Sequence, residues 1–141
     1  VAEATEASAT PTSEWTAQKV YDTILFGLRK QAAPSIEMVN DRPACRYRSK
    51  DGKKCAAGML IPDELYKPEF EIWAAEHTIF LPLWHQLGLT PFLSLIQACQ
   101  SAHDDLPNNL IYWLKHWESK MKQVARFNDL VYTPPAQPNP I

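Results

Sequence analysis

Between residues 15 and 130 the apolar positions recur mostly at helical spacing. In TAQKVYDTILFGLRKQ, Val20, Tyr21, Ile24, Leu25 and Leu28 fall at i, i+1, i+4, i+5 and i+8, one face of an amphipathic helix. Thr16 stands where an N-cap belongs, and Pro34 closes the segment. Phe80 to Leu87 predicts a short helix broken near Pro82 and ended by Gly88. Thr90-Pro91 reads as a cap and a first-turn proline, followed by a face of Phe92, Leu95, Ile96, Cys99 and His103. Pro107 is expected to open the last helix, whose apolar stripe is Leu110, Leu114, Trp117, Met121 and Val124 and whose stop is Asn128.

One segment breaks the helical period. ACRYRSKDGKKCAAG alternates like two short strands around Asp51-Gly52. With a three-residue loop, Lys50-Asp51-Gly52, and Gly52 left-handed, Cys55 faces Tyr47 and Cys45 lies one diagonal away on the same face. With a two-residue loop the register slips by one and the two cysteines face opposite sides. In LIPDELYKPEFE, Asp63 starts a short turn that Pro68 stops. The pattern therefore predicts a mainly α fold of about four helices with one small β-hairpin, an α+β domain over residues 15–130 with the hairpin near 44–58. Residues 1–14, small, polar and acidic, read as an N-terminal arm. Residues 131–141, rich in proline, read as a polyproline-like tail. Both ends are expected to be mobile in isolation and to gain order against neighbouring subunits.

Composition supports one domain with a real core: 141 residues, 45% hydrophobic, with five Trp, five Tyr and five Phe. The formal net charge of −2 argues against a general nucleic-acid binder. The charge is uneven, though. Residues 41–54 hold six basic and two acidic side chains, and residues 63–76 hold five acidic and one basic. Arg42, Arg46, Arg48, Lys50, Lys53 and Lys54 are thus candidates for meeting an acidic partner or a phosphate backbone, against the alternative of a solvated mixed-charge surface. Three cysteines are an odd number for a disulfide framework. No basic-then-apolar segment opens the sequence and no apolar run reaches the ~18 residues of a membrane span. The expectation is folding in a reducing compartment, without a signal peptide or transmembrane segment.

The candidate chemistry is a cysteine–histidine set. Cys99 and His103 stand four apart on one helix face, and Cys45 and Cys55 bracket the hairpin. Together they make a Cys3His donor set of the kind that holds a structural zinc ion. The alternative is that the cysteines are buried small hydrophobes and that His103 with Asp104 closes the helix. A thiol enzyme lacks support: Cys99 has no glycine-rich oxyanion turn beside it, and a histidine on the same helix has no separate scaffold to orient it. His77, His85 and His116 read as half-buried surface residues, and Asp104-Asp105 as solvated turn residues.

CRYRSKDGKKCAAGMLIPDELYKPEFE, with LIQACQSAHDD downstream, resembles a group of small uncharacterised bacteriophage and bacterial proteins. Their pattern is a C-x-Y-R hairpin, then G-x-K-C-A-x-G-x-L-I-P-D-E-x-Y, then L-x-x-x-Q-x-x-H-D. Here it falls on Cys45, Tyr47, Arg48, Gly52, Lys54, Cys55, Ala56, Gly58, Leu60, Ile61, Pro62, Asp63, Glu64 and Tyr66, with the final pair on His103 and Asp104. Gln97 and Gln100 both offer themselves as the glutamine. The resemblance spans residues 16–127 and is strong over 45–71. It implies a phage origin and brings no activity with it. The resulting expectation is a non-enzymatic structural or interaction protein of a virion or its assembly, binding neighbouring subunits. The alternative is a small module acting in the host cytoplasm on a protein or nucleic acid through the basic hairpin.

Overall fold

A computed structural model describes residues 14–136; residues 1–13 of the expected arm and 137–141 of the expected tail lie outside the described residues. Among the described residues four α-helices and one two-stranded antiparallel hairpin form the fold: α1 (Ala17–Gln31), β1 (Ile36–Val39), β2 (Arg42–Cys45), α2 (Leu81–Gln86), α3 (Leu93–Asp104) and α4 (Trp113–Phe127). Helix α1 begins as its sequence predicts. The Thr16 side chain accepts the Lys19 N–H at 3.1 Å, and all five positions of the apolar stripe are fully buried. It ends before Pro34, at Ala32, whose left-handed backbone sends its N–H to the Leu28 carbonyl.

The hairpin lies earlier than its sequence signal. Its strands are 36–39 and 42–45, in the register Ile36 opposite Cys45 and Val39 opposite Arg42. The turn residues are Asn40 and Asp41, both at positive φ (52° and 64°). Asn and Asp tolerate that conformation, and a two-residue turn with both centres left-handed matches strand twist. The segment 46–55 forms a second, looser turn closed by one bridge, Arg48 opposite Lys54. Its register is that of the three-residue loop: Gly52 is left-handed (φ 86°) and the Cys55 N–H reaches the Tyr47 carbonyl at 3.4 Å. The ladder stops at Tyr47, whose inward N–H goes to a side chain instead of the Cys55 carbonyl, while the outward groups of the non-hydrogen-bonded pair Arg48 and Lys54 tie the loop to the body. Tyr47 and Arg48 N–H go to Glu71, and Lys54 exchanges two hydrogen bonds with the Gln31 side chain.

From 57 to 80 the chain makes four short 3-10 turns, at 57–60, 63–65, 68–72 and 78–80. Pro62 and Pro68 are spaced too closely for an α-helix to grow between them. Pro82 does not break α2; it sits in the first turn, where its missing N–H costs nothing. Thr90 makes no capping bond, and residues 90–92 form a 3-10 turn before α3. The last helix starts after Asn109 rather than at Pro107: the Asn109 side chain accepts the Ile111 N–H at 3.1 Å. Trp113, Trp117, Met121 and Ala125 are its buried face, while Leu114 and Val124 are half-buried beside it. Asn128 ends it.

Helices α1, α3 and α4 pack on one another around Ile24, Leu25, Ile96, Trp117 and Met121. Burying a side chain of this size stabilises by about 1.5–3 kcal/mol. Polar tips are placed with care. The Tyr21 hydroxyl donates to the Met121 carbonyl at 2.7 Å, Trp84 Nε1 to Ala75 and Trp113 Nε1 to the His103 carbonyl, each at 3.1 Å. Residues 130–133 dock back onto the body. Val131 pairs with the Gln18 side chain through both its N–H and its carbonyl, and Arg29 donates to the Thr133 carbonyl at 2.7 Å. The first part of the expected tail is therefore held down by its own chain. Among the described residues no helix is long and apolar enough to cross a membrane.

Candidate functional site

Strand β2 ends at Cys45, half-buried, where it meets the C-terminal end of α3. There the donor atoms of Cys45, His103 and Asp104 lie within 4.8 Å of one another. Cys55 and Cys99 are not in this group. The 3-10 turn that follows Cys55 turns its thiol inward, where Sγ accepts the Gly58 N–H at 3.3 Å. Cys99 shares the buried face of α3 with His103 and points to the core near Tyr21. The expected Cys3His set thus contributes two members, and the third donor is Asp104, expected to be a solvated turn residue.

Hydrogen bonding decides what this cluster can do. His103 is fully buried, and its Nε2 accepts the Ser35 N–H at 2.9 Å. A lone pair on Nε2 puts the ring proton on Nδ1, which lies 2.7 Å from Asp104 Oδ1. The same oxygen accepts from Gln100 Nε2 at 2.8 Å, and Gln100 Oε1 accepts the Ala57 N–H at 2.9 Å. Burial, and then the Asp104 carboxylate that it hydrogen-bonds, push the Cys45 thiol up to about 12. Cys99 is pushed to about 12 by burial, and Cys55 is raised further by the same cause. All three are held as thiols, the opposite of what a nucleophile needs. A metal at this cluster would have to take the Cys45 proton and the Nδ1 proton. With Ser35 still donating to Nε2, the ring would become an imidazolate. The donor set is right for zinc but the histidine faces it with the wrong nitrogen.

The motif segment 45–71 is built around Glu71. Its carboxylate accepts the N–H groups of Tyr47 (2.9 Å) and Arg48 (3.0 Å) and the Tyr66 hydroxyl (2.6 Å). Arg46 Nε lies 3.3 Å away, an ion pair without an aligned hydrogen bond. The Arg48 guanidinium sits 4.9 Å from the Tyr66 ring centroid, donates to the Ile61 carbonyl at 2.7 Å and pairs with Asp63 at 2.8 Å. Gly58 leaves room for a backbone: a Cβ there would lie 2.4 Å from the Tyr47 carbonyl oxygen.

These contacts also answer the charge asymmetry. Arg46 pairs with Glu71, Arg48 and Lys54 with Asp63, and Lys53 with Asp51. The basic segment finds its acidic partner mostly within the same chain; Arg42 and Lys50 are exposed and have no such pair among the described residues. The other histidines stay at the surface. His77 stacks on Trp73 with centroids 3.9 Å apart, and His116 lies 3.0 Å from Asp105, whose carboxyl is held low by its bonds from His116 and Lys120.

Beside the cluster opens a cavity of about 420 Å³ between residues 71–76 and α3. Cys45, Glu71, Trp73, Glu76, Gln97 and Asp104 are among its lining residues. The glutamine upstream of His103-Asp104 was the available signal for this wall, with Gln97 and Gln100 both open in the sequence, and the hydrogen bonds make Gln100 the one that links Ala57 to Asp104. Glu71 and Trp73 gave no signal, because their roles depend on contacts with residues distant in sequence. Comparison with protein-family models, with curated proteins and with solved structures returns no match for this chain.

Proposed function

We propose that this is a non-enzymatic interaction protein, a component of a bacteriophage particle or of its assembly that binds neighbouring subunits. The observation that carries the reading is apolar surface left uncovered around one groove. Leu65, Phe70, Ile79, Pro82 and Leu83 line that groove, and Ile79, Leu81 and Ile72 are exposed on the same stretch of chain. Exposed apolar patches with a polar rim mark interaction sites. Lys67, Glu69 and Gln86 provide the rim.

The chemistry of the cleft supports the same reading. Its one thiol, Cys45, is raised and its buried carboxylate, Glu71, is occupied by backbone N–H groups and a tyrosine. Groups spent on holding the fold are poor acids, bases and nucleophiles. Action through the basic loop is the less favoured alternative, because four of its six cations are already paired internally.

The test is fractionation of a lysate of the phage that encodes the chain. An assembly component sediments with purified particles, or with their precursors, in fixed stoichiometry. Recovery from the soluble host fraction alone would sink the assembly reading and favour the alternative.

A further inference from the structure

We propose that the cleft between residues 71–76 and α3 takes the side chain of an arginine presented by a partner polypeptide, with Asp104 and Glu76 as the recognising carboxylates. This deepens the interaction reading and rests on it for the partner being a protein.

The cavity, about 420 Å³, has the size of a small-ligand pocket. Its lining carries three carboxylates, Glu71, Glu76 and Asp104, against one guanidinium, Arg46. Glu71 and Arg46 neutralise each other. Neither Glu76 nor Asp104 has a Lys or Arg within ion-pair distance among the described residues, so the three carboxylates and one guanidinium leave the lining with a formal charge of −2. The site is short of a cation.

Asp104 is also built to receive one. Its Oδ1 is anchored by the buried His103 ring and by Gln100, yet its side chain is 42% exposed. The carboxylate is thus fixed in orientation while part of it faces the cleft, and that pre-organisation lowers the cost of binding. Gln97, Ser101 and Asp104, at i, i+4 and i+7, share one face of α3 and line the same wall. Trp73 lines the cavity too, its indole backed by His77 at a 20° interplanar angle. A planar guanidinium stacks on an aromatic ring and forks onto a carboxylate; an ammonium does neither as well. A thiophilic metal is disfavoured by the Nδ1 proton of His103, as above.

The experiment is an NMR titration of the whole chain with Ac-Gly-Arg-Gly-NH2, following the Trp73 indole and the Gln97 and Gln100 side-chain amides. The citrulline peptide, neutral and isosteric, and the lysine peptide run alongside. Saturable shifts at these groups are expected for arginine, at least tenfold weaker for citrulline, weaker for lysine, and reduced by salt. Glu76→Gln and Asp104→Asn should each weaken arginine binding about tenfold or more. Asp104→Asn disturbs the His103 network, but Glu76 is exposed and makes no intramolecular bond among the described residues, so its variant keeps the fold. No saturable binding, equal binding of citrulline or lysine, or an unchanged affinity in Glu76→Gln would overturn the proposal. Failure here leaves the particle fractionation result standing, and absence from particles leaves the cleft's arginine binding standing.

Discussion

The Ser35 N–H donates to His103 Nε2 at 2.9 Å across 68 residues of chain, and both residues are fully buried. This one bond sets the tautomer of the ring and so the character of the cluster with Cys45 and Asp104. His103→Ala leaves a buried N–H without a partner and a hole beside Trp113, for a cost of about 2–4 kcal/mol. Urea denaturation measures it. The same bond predicts that the purified protein holds no stoichiometric zinc. One zinc per chain by elemental analysis, lost in Cys45→Ser, would show that the ring turns to present a lone pair to the cluster.

The thiols predict alkaline instability. In the unfolded chain a cysteine ionises near about 8.5. In the folded chain Cys99 is held at about 12 and Cys55 higher, by burial. Above about pH 8.5 the unfolded chain sheds protons that the folded chain keeps, so stability is full below that pH and falls as pH rises. The slope is about 1.4 kcal/mol per pH unit for each such thiol. Unfolding free energies at pH 8 and pH 10 test this, and Cys99→Ala should flatten the dependence. An unaltered slope in that variant would leave Cys55 and Cys45, and after them Tyr21 and Tyr47, all raised by burial, as the groups responsible.

Two glycines of the 45–71 segment separate crowding from backbone strain. At Gly58 an added Cβ meets the Tyr47 carbonyl at 2.4 Å, so Gly58→Ala forces the bridge-closed loop apart and costs about 3 kcal/mol or more. At Gly52 nothing lies within 4 Å, but φ is 86°, so Gly52→Ala carries only the left-handed penalty of about 1 kcal/mol. Thermal denaturation of the pair should rank them in that order.

Residues 130–133 are held by a clasp. Arg29 makes two hydrogen bonds to Glu118, at 2.6 and 2.9 Å, and the Tyr132 hydroxyl donates to the same carboxylate at 2.6 Å. Burial works to raise Glu118, but the bonds from Arg29 and Tyr132 outweigh it and hold the carboxyl below its ordinary value. Its contribution is therefore present above the unfolded value of about 4.3 and is lost as pH falls through the lower folded one. Hydrogen-exchange protection of Val131 should drop over that acidic range, and Glu118→Gln should lower it already at neutral pH. Protection equal to wild type in that variant would mean that Gln18 alone holds the segment.

Much of the architecture is legible in the sequence because it rests on local periodicity. The stripe Val20 to Leu28, the Thr16 cap, the buried face of α3 and the Asn128 stop follow from 3.6-residue spacing and capping chemistry, which a window of a dozen residues contains. The loop register with Gly52 left-handed was also among the readings that local turn chemistry allowed. What tertiary structure decided is every feature that depends on two distant segments meeting. Asp51-Gly52 and Asn40-Asp41 are both turn signals, and only the second lies between strands free to pair. Glu71 takes the Tyr47 N–H that would have extended the ladder around Asp51-Gly52, while the strands around Asn40-Asp41 pair in full. Cys45 and Cys55 look equivalent in sequence, yet one ends a strand at a cleft and the other is turned inward by a 3-10 turn. Spacing placed Cys99 and His103 on one helix face, and the proton on His103 was set by a serine 68 residues away. Periodicity fixes which face of an element is apolar; it carries no information on which polar groups will meet across the core, and those meetings determine the chemistry of the site.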